Sequence, residues 1–393
     1  MTDQPLRIAI VCYPTYGGSG VIAAEIGMAM ARRGHLVHFI GTDPPRRFTA
    51  TPGAAFHRVE VRDYPVFQYP PYTLALASRM VEVATSANLD ILHVHYAIPH
   101  ATSAFLAAAV LGPRSPKIVT TLHGTDITVI GADPSYTPVT RLSVERSDAV
   151  TVPSRFLADA TRAVLDLPGL DIEVIPNFVD CAQFVPPRAR QPERIRDLFE
   201  RTGGPTDDAV AGAPTLVHVS NFRPVKRVHD VLAVYERVNA VLPCRLLMIG
   251  DGPDRAGVEA RARSQGLEPR VRFLGRQDDL VPLLQHCDVF LLPSETESFG
   301  VAALEAMACG VPVVASDVGG LPDLVDGDEG GHLVPCGDVD GMARAVLSLL
   351  APGERREQAG HQARARAVTH FQDGPLLDAY EACYRRVLGR QGK

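Results

Sequence analysis

The chain has 393 residues, 46% of them hydrophobic and 21% charged, which excludes extensive disorder and, at a length beyond one ordinary hydrophobic core, predicts two domains. A net charge of −6 gives no general attraction for nucleic acid or an anionic membrane, so any anionic partner is expected to be small. Seven scattered cysteines without a C-x-x-C pair read as reduced, mostly buried thiols; with no basic leader and no apolar run near membrane-span length, the expectation is a soluble cytoplasmic protein.

In chain order, the first half predicts a strand from Leu6 to Cys12, a helix from Val21 to Arg32, a strand from Leu36 to Ile40 and a helix from Leu74 to Thr85. A strand from Ile91 to His95, a helix from Thr102 to Leu111 and a strand from Ile118 to Leu122 follow. Such alternation implies a parallel sheet with helices on both faces. Residues 186–214, rich in Pro, Arg, Gly and Asp, read as a linker with a short helical segment around Arg194 to Arg201.

The pattern then restarts: strand Thr215 to Val219, helix Val228 to Val241, and strands at Arg245 to Ile249, Val271 to Leu274 and Val289 to Leu292. Next comes SETESFGVAALEAMACGVPVVAS, where a helix from Val301 to Cys309 is capped by Gly310 and followed by a buried strand from Val311 to Ala315. Beyond Gly360 the chain reads as helical, and Leu376 to Leu388 as amphipathic. The expected domains are 1–185 and 186–370, followed by a C-terminal helix at 371–393 that could pack on either. In open sheets of this kind ligands collect at the carboxyl ends of the strands, so two facing domains would make an interdomain cleft.

The polar candidates fall just after predicted strands. Pro14 to Gly20 leads into a helix, where glycines admit close backbone approach and Ser19 can donate a hydroxyl; the segment is not a G-x-G-x-x-G dinucleotide fingerprint. His93 and His95 share a strand face at a spacing that would suit a metal, but no carboxylate or cysteine completes a ligand set. Tyr96 lies just past that strand, and His123 and Asp126 occupy the next strand-end turn, placed either to meet a substrate or to serve structurally.

In the second half, Arg223, Lys226 and Arg227 put three cations within five residues, which suits a diphosphate whose charge grows as its bond to a sugar breaks. Gly250 and Gly275 with Arg276 end further strands in turns that could approach a base or ribose. Gly300 sits where a helix begins, so the amides near Phe299, Gly300 and Val301 could bind a phosphate by backbone alone, and Glu297 would face the same pocket. Paired carboxylates also suggest a glycoside hydrolase. Eight helical residues, however, rise about 12 Å, more than the roughly 5 to 9.5 Å separating a hydrolase pair.

Taken together, GGSG, HGTD, SNFRPVKR, GDGP, FLGR and ESFGVAALEAMACGVPVVAS resemble the retaining glycosyltransferases of family four, with their α/β GT-B fold of two doubly wound Rossmann-like domains. CYPTYGGSGVIAAEIG, VFQYPPYTLALAS, HVHYAIPHA, TTLHGTDITVIGADPS and IPNFVD are similar to those members that join N-acetylglucosamine to L-malate in bacillithiol synthesis. The resemblance spans nearly the whole chain and implies that the C-terminal helix, 371–393, returns to the first domain. It implies UDP-N-acetylglucosamine as donor substrate, L-malate as acceptor, retention at the anomeric carbon, and no metal or other cofactor.

By position, the resemblance implies that Glu297 holds donor sugar hydroxyls, the amides of Phe299, Gly300 and Val301 the diphosphate, and Glu305 the ribose. His123 would touch the sugar, Lys226 with Arg223 would stabilise the leaving phosphate, and Gly18 and Ser19 would close over the donor. Asn221, Gly250, Gly275 and Arg276 complete the donor side; Ser19, Tyr96, Thr121 and Arg141 would take the acceptor, a guanidinium suiting a carboxylate. Many family members carry the cleft arginine five or six residues before the lysine, where this chain has Ser220 and Asn221, so Arg223 or Arg227 must serve. An inositol phosphate or another small anion would also suit a basic, hydroxyl-lined acceptor site, and a UDP-sugar epimerase is the alternative on the same fold. The sequence leaves the oligomeric state open, a homo-oligomer included.

Overall fold

A computed structural model describes residues 4–14, 18–62, 68–188, 197–199, 212–325 and 330–389. Thr15 to Gly17 and most of the expected linker lie outside the described residues; of its short helical segment only 197–199 is described, and it is helical. The chain divides into two units, 1–177 with 374–393, and 178–373.

Runs of Ile, Val and Leu bounded by turn residues form the strands of the first unit, which are buried from both sides as parallel strands usually are. They are β1 (Arg7–Val11), β2 (Leu36–Gly41), β3 (Ala54–Arg58), β4 (Ile91–His95), β5 (Lys117–Thr121), β6 (Ala149–Val152) and β7 (Ile172–Val174). Their spatial order is β3-β2-β1-β4-β5-β6-β7, all parallel. Between them run α1 (Gly18–Arg32), α2 (Tyr72–Ala87), α3 (Thr102–Leu111), α4 (Thr125–Thr128), α5 (Thr137–Glu145) and α6 (Arg155–Val164). One core layer packs Ala9, Val11, Leu92 and Val94 against Leu76 and Met80 of α2 and Ala104 of α3.

The second unit repeats the plan with β8 (Thr215–Ser220), β9 (Arg245–Gly250), β10 (Val271–Gly275), β11 (Val289–Leu292), β12 (Val313–Ser316) and β13 (Gly331–Val334). The order is β10-β9-β8-β11-β12-β13, again parallel. Its helices are α7 (Val228–Val241), α8 (Arg255–Ser264), α9 (Val281–Leu284), α10 (Val301–Ala308), α11 (Leu321–Leu324), α12 (Val339–Leu350) and α13 (Arg355–Phe371). Alternate strand residues enter two cores: Val217, Leu247 and Phe290 meet Leu304 and Met307 of α10, while Leu216, Leu246 and Leu291 meet Leu232 and Tyr235 of α7. Each fully buried large side chain is worth about 1.5 to 3 kcal/mol relative to exposure. The two cores therefore hold both sheet faces.

The chain enters the second unit eight residues before the expected boundary at 185. Val179, Cys181 and Phe184 belong to its core, and the Val179 N–H donates to the Phe371 carbonyl at 3.0 Å. Arg364 adds a hydrogen bond to the Cys181 carbonyl at 2.8 Å. The last helix, α14 (Asp373–Gly389), does belong to the first unit. It buries Leu377, Tyr380, Tyr384 and Val387, spaced as one helical face.

All seven cysteines are free, six buried and Cys336 exposed. Among the described residues no helix is long and apolar enough to cross a membrane.

Candidate active site

Each sheet reverses its strand order once, between β1 and β4 in the first unit and between β8 and β11 in the second. A crevice opens at the carboxyl ends of the strands at such a switch point, because the connections leave toward opposite faces. Ser19 and Tyr96 lie at the first of these points, and Lys226 and Glu297 at the second.

In the first unit the chain leaves β1 and enters α1 at Gly18; Ser19 Oγ then lies 2.5 Å from the Tyr96 hydroxyl at the end of β4. Tyr96 has a φ of 83°, which a bulky residue adopts only where its surroundings impose it. Its N–H donates to the Thr121 carbonyl at 2.9 Å, fixing the turn. Burial raises the Tyr96 phenol to about 12, so it is a neutral hydroxyl at physiological pH.

His123 follows β5, and its Nε2 is 2.9 Å from His95 Nδ1. Burial pushes His123 down to about 3, so the ring is neutral and one of the two imidazoles donates. Asp126 clamps the neighbouring backbone: one oxygen accepts the N–H groups of His123 at 3.1 Å and Gly124 at 2.9 Å, the other that of Ala97 at 3.1 Å. A single carboxylate thus ties the β4 and β5 exit turns together. Burial raises it to about 6 even though those three donors favour its ionised form.

Two expected acceptor residues lie apart from Ser19 and Tyr96. The Thr121 hydroxyl is taken up by His93 Nε2 at 2.7 Å and Thr151 Oγ1 at 2.6 Å, because odd positions of β5 face the layer covered by α14. Its carbonyl, not its side chain, meets Tyr96. Arg141 on α5 pairs with Glu145 at 3.5 Å and Asp166 at 3.6 Å, both partly or largely exposed. The His93–His95 face does form as expected, but both His93 ring nitrogens are occupied, Nδ1 by the Tyr384 hydroxyl at 2.7 Å. Among the described residues no three His, Cys, Asp or Glu side chains are grouped as metal ligands.

In the second unit, Lys226 ends the turn after β8 and its ammonium pairs with Glu297 Oε1, beyond β11. The side chains are 19% and 11% exposed, so this is not a solvated surface pair. Ser294, fully buried, donates its hydroxyl to the same oxygen at 3.0 Å. Glu295 N–H donates to the Val225 carbonyl at 2.8 Å, joining the two turns through backbone. Gly300, at a φ of 98°, starts α10, and the first α10 amides are directed outward as in any helix N-terminus. Glu305, eight positions beyond Glu297, is buried in α10.

The three cations differ in commitment. Arg227 is paired with Asp230 at 2.6 Å, at the start of α7. Arg223 is exposed, and its side chain has no hydrogen-bond or ion-pair partner among the described residues. Asn221 lies at the same turn, against which the Gly250 turn packs; Asp254 N–H donates to the Phe222 carbonyl at 3.0 Å. Arg276, after Gly275, is within 3.8 Å of Asp251 in that neighbouring turn.

Sequence reasoning missed His218. Its Nδ1 donates to the Leu291 carbonyl at 2.8 Å, so Nε2 accepts from Ser220 Oγ at 2.7 Å, and Ser220 Oγ accepts the Phe222 N–H at 3.2 Å. This directed chain fixes the turn that presents Arg223 and Lys226. A polar pair inside an apolar strand, His218 and Ser220 two residues apart, was the available signal.

Comparison with known proteins agrees with this geometry. The profile described as "Glycosyltransferase Family 4" matches residues 16–183, and that described as "Glycosyl transferases group 1" matches 208–366. The chain is 43% identical over 385 residues to the N-acetyl-alpha-D-glucosaminyl L-malate synthase of Bacillus anthracis, covering 98% of this chain and 97% of that one. It is 28% identical to a D-inositol 3-phosphate glycosyltransferase of Mycobacterium avium, covering 98% and 95%. In fold it is similar to a sucrose-phosphate synthase from Thermosynechococcus elongatus, with a TM-score of 0.79 at 22% identity over 98% of this chain and 100% of that one. It is also similar to Anabaena HepE, solved with UDP and glucose, with a TM-score of 0.75 at 20% identity over 97% and 99%. Two parallel sheets of the same winding, polar residues at both switch points and full-length identity of this degree lead to one assignment: the chain belongs to the family-four glycosyltransferases and has their GT-B fold.

Proposed function

We propose that the protein transfers N-acetylglucosamine from UDP-N-acetylglucosamine to the hydroxyl of L-malate, with retention at the anomeric carbon and without a metal cofactor. The observation that carries this reading is the 43% identity to the Bacillus anthracis malate synthase, which runs through both units and so through both sets of polar residues.

In this reading the second unit holds the donor. Glu297 takes sugar hydroxyls, the amides of Phe299, Gly300 and Val301 the diphosphate, and Glu305 the ribose. Asn221, Gly250, Gly275 and Arg276 line the turns around the nucleotide. Lys226 and Arg223 stabilise the charge that develops on the leaving phosphate, and the lack of a side-chain partner for Arg223 among the described residues supports its choice over Arg227. Of the first unit's residues, His123 is assigned to the sugar and Gly18 and Ser19 to the donor. Malate is held by Ser19, Tyr96 and Arg141, with Thr121 acting only through its carbonyl, which fixes Tyr96. The Arg141 pairs are long and exposed, so a carboxylate of the acceptor can replace them at small cost. The malate oxygen forms the new bond to the anomeric carbon as the bond to phosphate breaks, and the hydroxyl proton passes to the departing phosphate oxygen on the same face.

Incubation with UDP-N-acetylglucosamine and L-malate, with no metal added, is expected to release UDP and form the glycoside. The same assay with other 2-hydroxy acids and with inositol phosphate tests the acceptor; the 28% identity to an inositol phosphate transferase makes that the second reading. Consumption of inositol phosphate but not malate would overturn the malate assignment. Turnover of the UDP-sugar with no acceptor would point to an epimerase.

A further inference from the structure

Glu297 does not hold its own position. Its carboxylate is met by Lys226 and Ser294, but its backbone precedes α10 outside any helix or strand and its carbonyl is held by the loop between β12 and α11. The Gly320 N–H donates to the Glu297 carbonyl at 2.8 Å. At Gly319, whose φ is 58°, a Cβ would stand 2.0 Å from the Glu297 carbonyl oxygen, 3.0 Å from its carbonyl carbon and 3.2 Å from its nitrogen. The two backbones therefore touch with no room for a side chain. The start of α11 supports the other end of the same turn: Leu321 Cδ2 lies 2.8 Å from where a Cβ of Gly300 would be.

We propose that Gly319 and Gly320 are positioning residues for transfer, setting where the Glu297 carboxylate stands relative to Lys226 and Ser294. This rests on the donor-sugar role of Glu297 given above. A methyl at 319 forces one backbone to retreat by about 1 Å to restore ordinary contact. The loop is held through Asp317 N–H to the Val334 carbonyl at 2.7 Å and by buried Leu321 and Leu324, so the Glu297 turn yields. A shift of that size in a substrate-positioning group can cost about a hundredfold in rate. The amides of Phe299 to Val301 and the buried Glu305 lie beyond the displaced residue, so nucleotide affinity is retained.

The test uses the full chain and four proteins: wild type, Gly319→Ala, Glu297→Ala and the double variant. Turnover with UDP-N-acetylglucosamine and malate is measured beside the Kd for UDP and the Tm. Gly319→Ala is expected to lower kcat by about 10- to 100-fold, with UDP affinity within about threefold of wild type. In the double variant the loss should not exceed that of Glu297→Ala alone, since residues acting through one another do not add. Wild-type turnover in Gly319→Ala, or losses that multiply in the double variant, would overturn the proposal. If Glu297→Ala itself turns over normally, the donor-role reading fails instead. Should Gly319→Ala not fold, Gly320→Pro removes the holding N–H and adds nothing at 319. It is expected to show the same fall in kcat with UDP binding kept, and unchanged kcat would overturn the proposal equally.

Discussion

Lys226 and Glu297 are 71 positions apart, yet each neutralises the other in a place little reached by water. Removing one partner of such a pair leaves a poorly solvated charge, so single substitutions there mix chemistry with local destabilisation. The arginines separate more cleanly. Arg223→Ala removes a cation with no structural partner and is expected to lower turnover at least about tenfold, or roughly 1.4 kcal/mol of transition-state stabilisation, with Tm unchanged. Arg227→Ala breaks the pair with Asp230 and should lower stability by up to about 1 kcal/mol while retaining most of the activity. Steady-state kinetics and thermal melts on both variants check this, and the reverse pattern would move the phosphate role to Arg227. At this scale the sequence was informative about residue type and strand-end location, which is how Ser19, Tyr96, Lys226 and Glu297 could be picked out. It was silent on pairing. Thr121 faces the helix-covered layer because of strand alternation with His93 and Thr151 across the sheet, and nothing local announces which face receives α14. Gly319 and Gly320 were in plain view as a doublet after a strand, but their meaning depends on a backbone contact with a residue 22 positions earlier.

Elements with strong internal pattern were legible to the residue. β4, α3, α7 and β11 begin and end where β-branched runs or apolar spacing place them. β3, β6, β7 and β13 were not anticipated, being three to five residues long; Gly, His or charged positions dilute the alternation in β3, β7 and β13, and β6 is a run of only four residues, AVTV. β3, β7 and β13 are also edge strands, defined by a neighbour on one side only. The C-terminal helix was legible as amphipathic from its own pattern; its return to the first unit was implied only by the family resemblance, and the face it covers by neither. α14 brings the Tyr384 hydroxyl to His93 Nδ1, and His93 passes the contact to Thr121, whose carbonyl holds Tyr96. Tyr384→Phe deletes one oxygen from that fully buried chain and leaves the ring in place. The expected cost is about 1 to 3 kcal/mol of stability for an unsatisfied buried polar group, with UDP binding unchanged. Denaturant titration with a parallel UDP Kd would show it; an unchanged midpoint would mean that His93 finds another partner.

Over the whole molecule the buried imidazoles are unevenly shared. Burial holds His93 and His123 near 3 and His100 near 4, and His95 well below its usual range, all in the first unit; the second has His218 at about 4. A histidine kept neutral by folding stabilises the fold above its unfolded value of about 6.5. That stability is lost as pH falls toward the folded value, because the unfolded chain takes up the proton first. Asp126 acts oppositely, since its folded value of about 6 exceeds its unfolded one, and it offsets one proton. Near pH 5 the first unit's four imidazoles outnumber Asp126, so the unfolded chain takes up more protons than the folded one and that unit loses stability as pH falls. Urea unfolding followed between about pH 7 and 4.5 should therefore split into two transitions, the first unit melting earlier; a single pH-independent transition would contradict this. The division of the chain at 177/178 and 373/374 also bears on its synthesis. The second unit is one uninterrupted segment and is complete on leaving the ribosome while the first still lacks α14. His93, made early, waits 291 residues for Tyr384. The half that begins first is the half that finishes last.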